Sequence, residues 1–110
     1  MTNKAMYLDD IRNPTTDKNW VVVRSTAEAV EFVFNNHKMT KFASFDHDLG
    51  GEDTAILFIK WLIDYDLDND GTIIDLDFSW NVHSANPVGS NNINGLLKNY
   101  MNFKRKNQNG

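Results

Sequence analysis

Two acidic clusters in this chain of 110 residues stand where chemistry is expected: Asp9-Asp10 and Asp46-His47-Asp48. Each directly follows a short apolar run, Lys4 to Leu8 in one case and Phe42 to Phe45 in the other. A single aspartate after such a run is an ordinary strand stop. Two clusters at matching positions carry more, because an open α/β sheet binds ligands outside the carboxyl ends of its strands. If the runs are neighbouring strands, Asp9, Asp10, Asp46 and Asp48 converge. Their mutual repulsion calls for a hard divalent cation, Mg²⁺ or Mn²⁺. Without one, carboxylates packed in this way are expected to have raised pKa values. His47, flanked by two of them, is a candidate acid or base.

A second constellation runs His83-Ser84-Ala85-Asn86-Pro87-Val88-Gly89-Ser90-Asn91-Asn92. It follows an apolar run and opens a helical pattern. The first amides of a helix lack intrahelical partners and attract anions. Ser84, Asn86 and Asn92 offer neutral hydrogen bonds, and His83 a proton donor or acceptor near neutral pH. Arg12, just past the first acidic pair, can grip a phosphate bidentately. An ordinary capped loop uses the same residue types.

A third stretch, Asp66 to Asp77, matches the calcium-loop pattern D-x-D-x-D-G with an apolar residue at position eight. Against that reading, position twelve is Asp77 rather than Glu, and the exiting segment reads as a strand. No second loop accompanies it. The expected reading is a solvated Asp-rich turn without Ca²⁺.

Composition narrows the classes. The absence of cysteine excludes disulfides, thiolate metal sites and cysteine nucleophiles. A formal net charge of −4 argues against general DNA binding, which asks for a basic stripe. No apolar run approaches the roughly 20 residues of a membrane span, and the N-terminus shows no secretory pattern. A cytoplasmic protein without membrane attachment is the expectation.

The elements that must position these residues follow from periodicity and caps. Lys4 to Leu8, Trp20 to Val23, Phe42 to Phe45 and Phe78 to Val82 read as strands. Ser25 with Glu28 forms a capping box for a first helix, with Val30, Val33, Phe34 and His37 as its apolar stripe. His37 is read as structural. Asp53 or Thr54 starts a second, largely buried helix through Tyr65. Pro87 to Gly89 leads into a third, with Ile93, Leu96, Leu97 and Tyr100 on one face. The order β-β-α-β-α-β-α predicts one α/β domain over residues 1–110. Residues 104–110, opening on Lys104-Arg105-Lys106, read as a basic, flexible tail. The connection Asp10 to Asn19 is short for a parallel crossover.

Three stretches together resemble the cyclic-phosphate-processing receiver-like domains, relatives of response-regulator receivers. They are Tyr7-Leu8-Asp9-Asp10-Ile11-Arg12-Asn13-Pro14, Ser44-Phe45-Asp46-His47-Asp48-Leu49-Gly50 and His83-Ser84-Ala85-Asn86-Pro87-Val88-Gly89. The resemblance runs from about Met6 to Phe103. Val21 to Ala29 also resembles a receiver's second strand and following helix. What the resemblance implies is a small three-layer α/β fold of truncated, flavodoxin-like receiver topology. Its mostly parallel sheet would have about four strands, with three helices. Asp9, Asp10 and Asp46 would surround a divalent-cation pocket. The departures are a loop in place of the first crossover helix, no fifth strand bearing a lysine, and His83-Ser84 where a receiver has only Ser or Thr.

The implied activity is a metal-assisted phosphoesterase, a hydrolase of the cyclic phosphodiesterase type. It would act on or bind a 2′,3′-cyclic RNA end or a cyclic nucleotide. His83, Asp46 and His47 would be catalytic, and Arg12, Ser84, Asn86 and Asn92 would hold the phosphate. The alternative is a non-catalytic module for a phosphorylated ligand or protein partner, such as a phage or mobile-element accessory protein. A third reading makes Asp46 the phosphoryl acceptor of a receiver, which the missing lysine strand disfavours.

Overall fold

Short β-branched and aromatic runs bounded by polar residues fold as four strands. They are β1 (Ala5–Leu8), β2 (Trp20–Val23), β3 (Phe42–Phe45) and β4 (Ser79–Val82). Three helices alternate with the later ones: α1 (Thr26–Asn36), α2 (Ala55–Asp68) and α3 (Pro87–Gln108). The structure is a computed structural model and describes residues 4–16 and 18–108. The sheet order is β2-β1-β3-β4, and all neighbours are parallel. This is an α/β fold of receiver, flavodoxin-like type. The first pair is parallel although only a loop joins it. Arg24, just past β2, fastens that loop by donating to the carbonyls of Asp9 and Arg12 and to Asn13 Oδ1.

Strand alternation divides the sheet into unlike faces. Met6, Leu8, Val23, Ala43 and Phe45 point one way and share one core with Ala29, Val33, Phe58, Leu62, Ile93 and Leu97. The crossovers through α1 and α2 move the same way along the sheet order. Right-handed connections therefore place both helices on the same face. The third helix packs against α2 and β4. Among the described residues no helix covers the opposite face. The expected three layers are thus two. A third would need a helix between β1 and β2 or after a fifth strand, and the described residues hold neither.

Local sequence explains most helix ends. Ser25 Oγ accepts from the Glu28 amide and caps α1. Asp53 Oδ2 accepts from the Thr26 amide, so the turn before α2 also caps α1. The expected α1 stripe is shifted: Ala29 and Val33 are buried, whereas Phe34 and His37 are exposed. Phe34 still rests on Tyr65, and His37 Nδ1 meets the Tyr65 hydroxyl.

Asp66 overturns two expectations. It is fully buried rather than solvated. Its Oδ1 accepts from the Ile73 and Ile74 amides, and its Oδ2 from Tyr100 and from Lys104 Nζ at 2.8 Å. Burial alone would raise its pKa. The bonds from Lys104, Tyr100 and the Ile74 amide outweigh that and hold it below the ordinary value. Lys104 is therefore buried in the helix instead of starting a flexible tail, and α3 continues to Gln108. Residues 109–110 of that expected tail lie outside the described residues.

Candidate functional site

Two residues beyond Tyr7, Val22, Ser44 and Asn81, the same alternation reaches Asp9, Arg24, Asp46 and His83. The ladder extends to them: the Asp9 amide donates to Val23 O, Asp46 to Leu8 O and His83 to Phe45 O, at 2.8–3.1 Å. All four therefore occupy one row at the C-terminal edge of the helix-free face. Asp9 and Asp46 flank the point between β1 and β3 where the strand order reverses, the place an open sheet offers to ligands.

Asp9 is 1% exposed and accepts from four N–H groups. The Ile11 and Arg12 amides reach Oδ1 at 2.9 and 2.8 Å, which closes an Asx turn. Arg12 Nε and His83 Nε2 reach Oδ2, both at 3.0 Å. Burial pushes the Asp9 pKa up, but the two amides, His83 and the Arg12 charge together hold it below the ordinary value. This corrects the expectation of raised carboxylates for Asp9. The repulsion is relieved from within, because Arg12 also reaches Asp46 Oδ2 at 3.4 Å.

The hydrogen bonds fix the state of His83. An ionised Asp9 can only accept, so Nε2 carries a proton. In the neutral ring Nδ1 then accepts from Ser44 Oγ, 2.6 Å away, and Ser44 Oγ accepts from Asn81 Nδ2. The Tyr7 ring stacks on the imidazole, with centroids 4.6 Å apart and planes within 5°. Burial and the charges of Asp9 and Asp46 raise the Tyr7 pKa, so it stays protonated.

Asp9, Asp10 and Asp46 each present an oxygen within 4.8 Å of the others. An octahedral Mg²⁺ with ligands near 2.1 Å places them about 3–4 Å apart. These residues fit such an ion after a small inward shift, provided Arg12 leaves the oxygens it now bridges. Asp48 stands outside the group. Its carboxylate meets His47 Nδ1 at 3.0 Å and Asn86 Nδ2 at 3.4 Å. Gly89 makes room for His47, since a Cβ there would lie 2.4 Å from the His47 ring.

The expected phosphate holders separate. Arg12 is in the pocket. Asn86 caps α3, with Oδ1 accepting from the Gly89 amide, and Ser84 Oγ accepts from the Asn86 amide. Asn92 lines the cleft between α2 and α3 with Ile56 and Lys60. Tyr7, Arg24 and Ser44 were given no role in the sequence reading. Counting back by two from Asp9 and Asp46 reaches Tyr7 and Ser44, whereas Arg24 joins them only through the register of β2 on β1.

The model of the cyclic-phosphate processing receiver domain matches residues 4–99. The chain belongs to that family. No curated protein and no solved structure matches it significantly. In this receiver domain, the row Asp9, Arg24, Asp46 and His83 stands at the sheet's switch point. Among the described residues no strand follows α3, so no fifth strand supplies a lysine. Nor is any helix among them long and apolar enough to cross a membrane.

Proposed function

We propose that this receiver domain binds a cyclic phosphate at the Asp9–Asp46 edge and opens it by hydrolysis. One observation supports the reading above others: N–H groups of Arg12 and His83 converge on one Asp9 oxygen beside Asp46. A phosphoryl oxygen arriving there takes over the Arg12 guanidinium, which suits two acceptors in one plane. Water attacks phosphorus and passes one proton to solvent, one ring P–O bond breaks, and the leaving oxygen needs a proton. His83 supplies it from Nε2 when doubly protonated, with the Ser44 hydroxyl turned to accept from Nδ1. Tyr7 keeps the imidazole plane fixed during the exchange. Asp9, Asp10 and Asp46 would hold a divalent cation, which would supply charge neutralisation and water activation there.

Binding without turnover is the second reading. It is favoured by the same closed network, in which His83 Nε2 is already engaged by Asp9. Phosphorus NMR of a 2′,3′-cyclic and 3′,5′-cyclic nucleotide panel with Mg²⁺ separates the two. Hydrolysis converts a cyclic resonance into a monoester, and His83→Ala abolishes the conversion. A ligand that binds and is recovered intact leaves a binding module. Turnover indifferent to His83→Ala removes the proposed proton donor.

A further inference from the structure

The helix-free face carries a continuous run of rings that the pocket does not account for. From the site outward, His83 stacks on Tyr7, Tyr7 meets Trp20 edge-on at 5.3 Å, and Trp20 meets Phe42 at 6.1 Å. Tyr7, Trp20 and Phe42 are each half-buried. At the far end Lys18 Nζ lies 5.2 Å from the Phe42 ring centre. The rows of this face hold no carboxylate other than Asp9 and Asp46 in the pocket itself. The face is therefore neutral to basic in a chain of net charge −4.

We propose that this face is a base-stacking platform for the single-stranded RNA whose terminal phosphate enters the pocket. The inference rests on the phosphate reading of the Asp9–Asp46 edge and deepens it. Bases stack on aromatic side chains of an open sheet regardless of sequence, while cations track the backbone. Phe42 and Asp46 are four residues apart on one strand and its extension, about 13 Å. Three rings over that length offer more stacking surface than one base covers, which favours an oligonucleotide end over a mononucleotide. Lys18 complements the charge of a second phosphate. Its flexible stem lets a base displace the ammonium from the Phe42 ring toward the backbone. Asn81, exposed beside Ser44, offers an amide to a base edge.

The test compares ligands that hydrolysis cannot consume, using the whole chain with Mg²⁺. They are an RNA tetranucleotide with a 3′-monophosphate, the same tetranucleotide with a 3′-hydroxyl, and the matching nucleoside 3′-monophosphate. The phosphorylated tetranucleotide should bind at least about ten-fold more tightly than the mononucleotide. The double variant Phe42→Leu with Lys18→Ala keeps an apolar side chain at the sheet and lies outside the pocket. It should remove that advantage while changing mononucleotide affinity less than about two-fold, and should equally weaken the 3′-hydroxyl tetranucleotide. Equal affinities for the two phosphorylated ligands, or an unchanged tetranucleotide affinity in the double variant, overturn the proposal. So does a dimer in sedimentation that the double variant dissolves, which assigns the face to a second copy of the chain. If Arg12→Ala leaves every affinity unchanged while the platform arms behave as expected, the pocket reading fails and the platform stands.

Discussion

Asp9 joins a turn, a histidine and an arginine through one carboxylate, so its ionisation is coupled to the order of the whole pocket edge. Its folded pKa lies below the unfolded value near 3.8. A depressed carboxyl contributes stability above the unfolded pKa and loses it as pH falls through the folded one. Asp9→Asn should therefore cost roughly 1–3 kcal/mol at pH 7, and the gap should close below pH 4. Urea unfolding across pH checks this; a gap that widens in acid contradicts it. Arg12 is the counter-ion a metal must displace. Arg12→Ala should lower stability without metal and enlarge the stabilisation that Mg²⁺ gives, whereas Asp10→Asn should diminish it. Melting curves with and without Mg²⁺ read both, and a smaller Mg²⁺ effect in Arg12→Ala removes the competition argued here.

The element scale shows why some of this was legible in the sequence and some was not. Strands and caps follow from local patterns: β-branched runs, Ser25 before Glu28, Asn86-Pro87 before a helical stripe; the parallel first pair was legible only through the resemblance to receivers. The two aspartate clusters were legible because strand ends are. The Asp66 hub was not. Its partners Tyr100 and Lys104 lie far along the chain, and a buried Asp reads locally like any acidic turn. Lys104→Met should leave that carboxylate buried without its cation and cost about 3–5 kcal/mol in denaturant unfolding. Asp68→Ala with Asp70→Ala, on exposed side chains, should change stability by less than about 1 kcal/mol. A reversal of that order would return the loop to a metal-binding reading. The packing of His47 under Gly89 was equally invisible. Gly89→Ala should cost about 1–3 kcal/mol, and His47→Ala should recover part of it in a double-mutant cycle. Strict additivity would mean the two do not touch.

At the scale of the molecule, one sheet has its helices on one side and its chemistry on the other. The same alternation that buries Met6, Leu8, Ala43 and Phe45 sends Asp9, Asp46 and His83 to the helix-free face. The sequence carried that alternation plainly. It did not announce that no helix would cover the second face, because layer count depends on connections rather than on strand pattern. A ligand that binds only the folded chain stabilises it by mass action, about 2.7 kcal/mol at a hundred-fold excess over its dissociation constant. Mg²⁺ should accordingly raise the melting temperature near neutral pH, and a temperature that does not respond to Mg²⁺ contradicts binding to the folded chain. The central claim is that Arg12 and His83 leave Asp9 for the phosphate. Side-chain ¹⁵N NMR of Arg12 Nε and His83 Nε2, during titration with a nucleoside 2′,3′-cyclic phosphate and Mg²⁺, tests it most directly. Both resonances should move together and saturate at one ligand concentration. If the ligand binds and shifts other signals while these two stay in place, the cyclic phosphate is bound elsewhere.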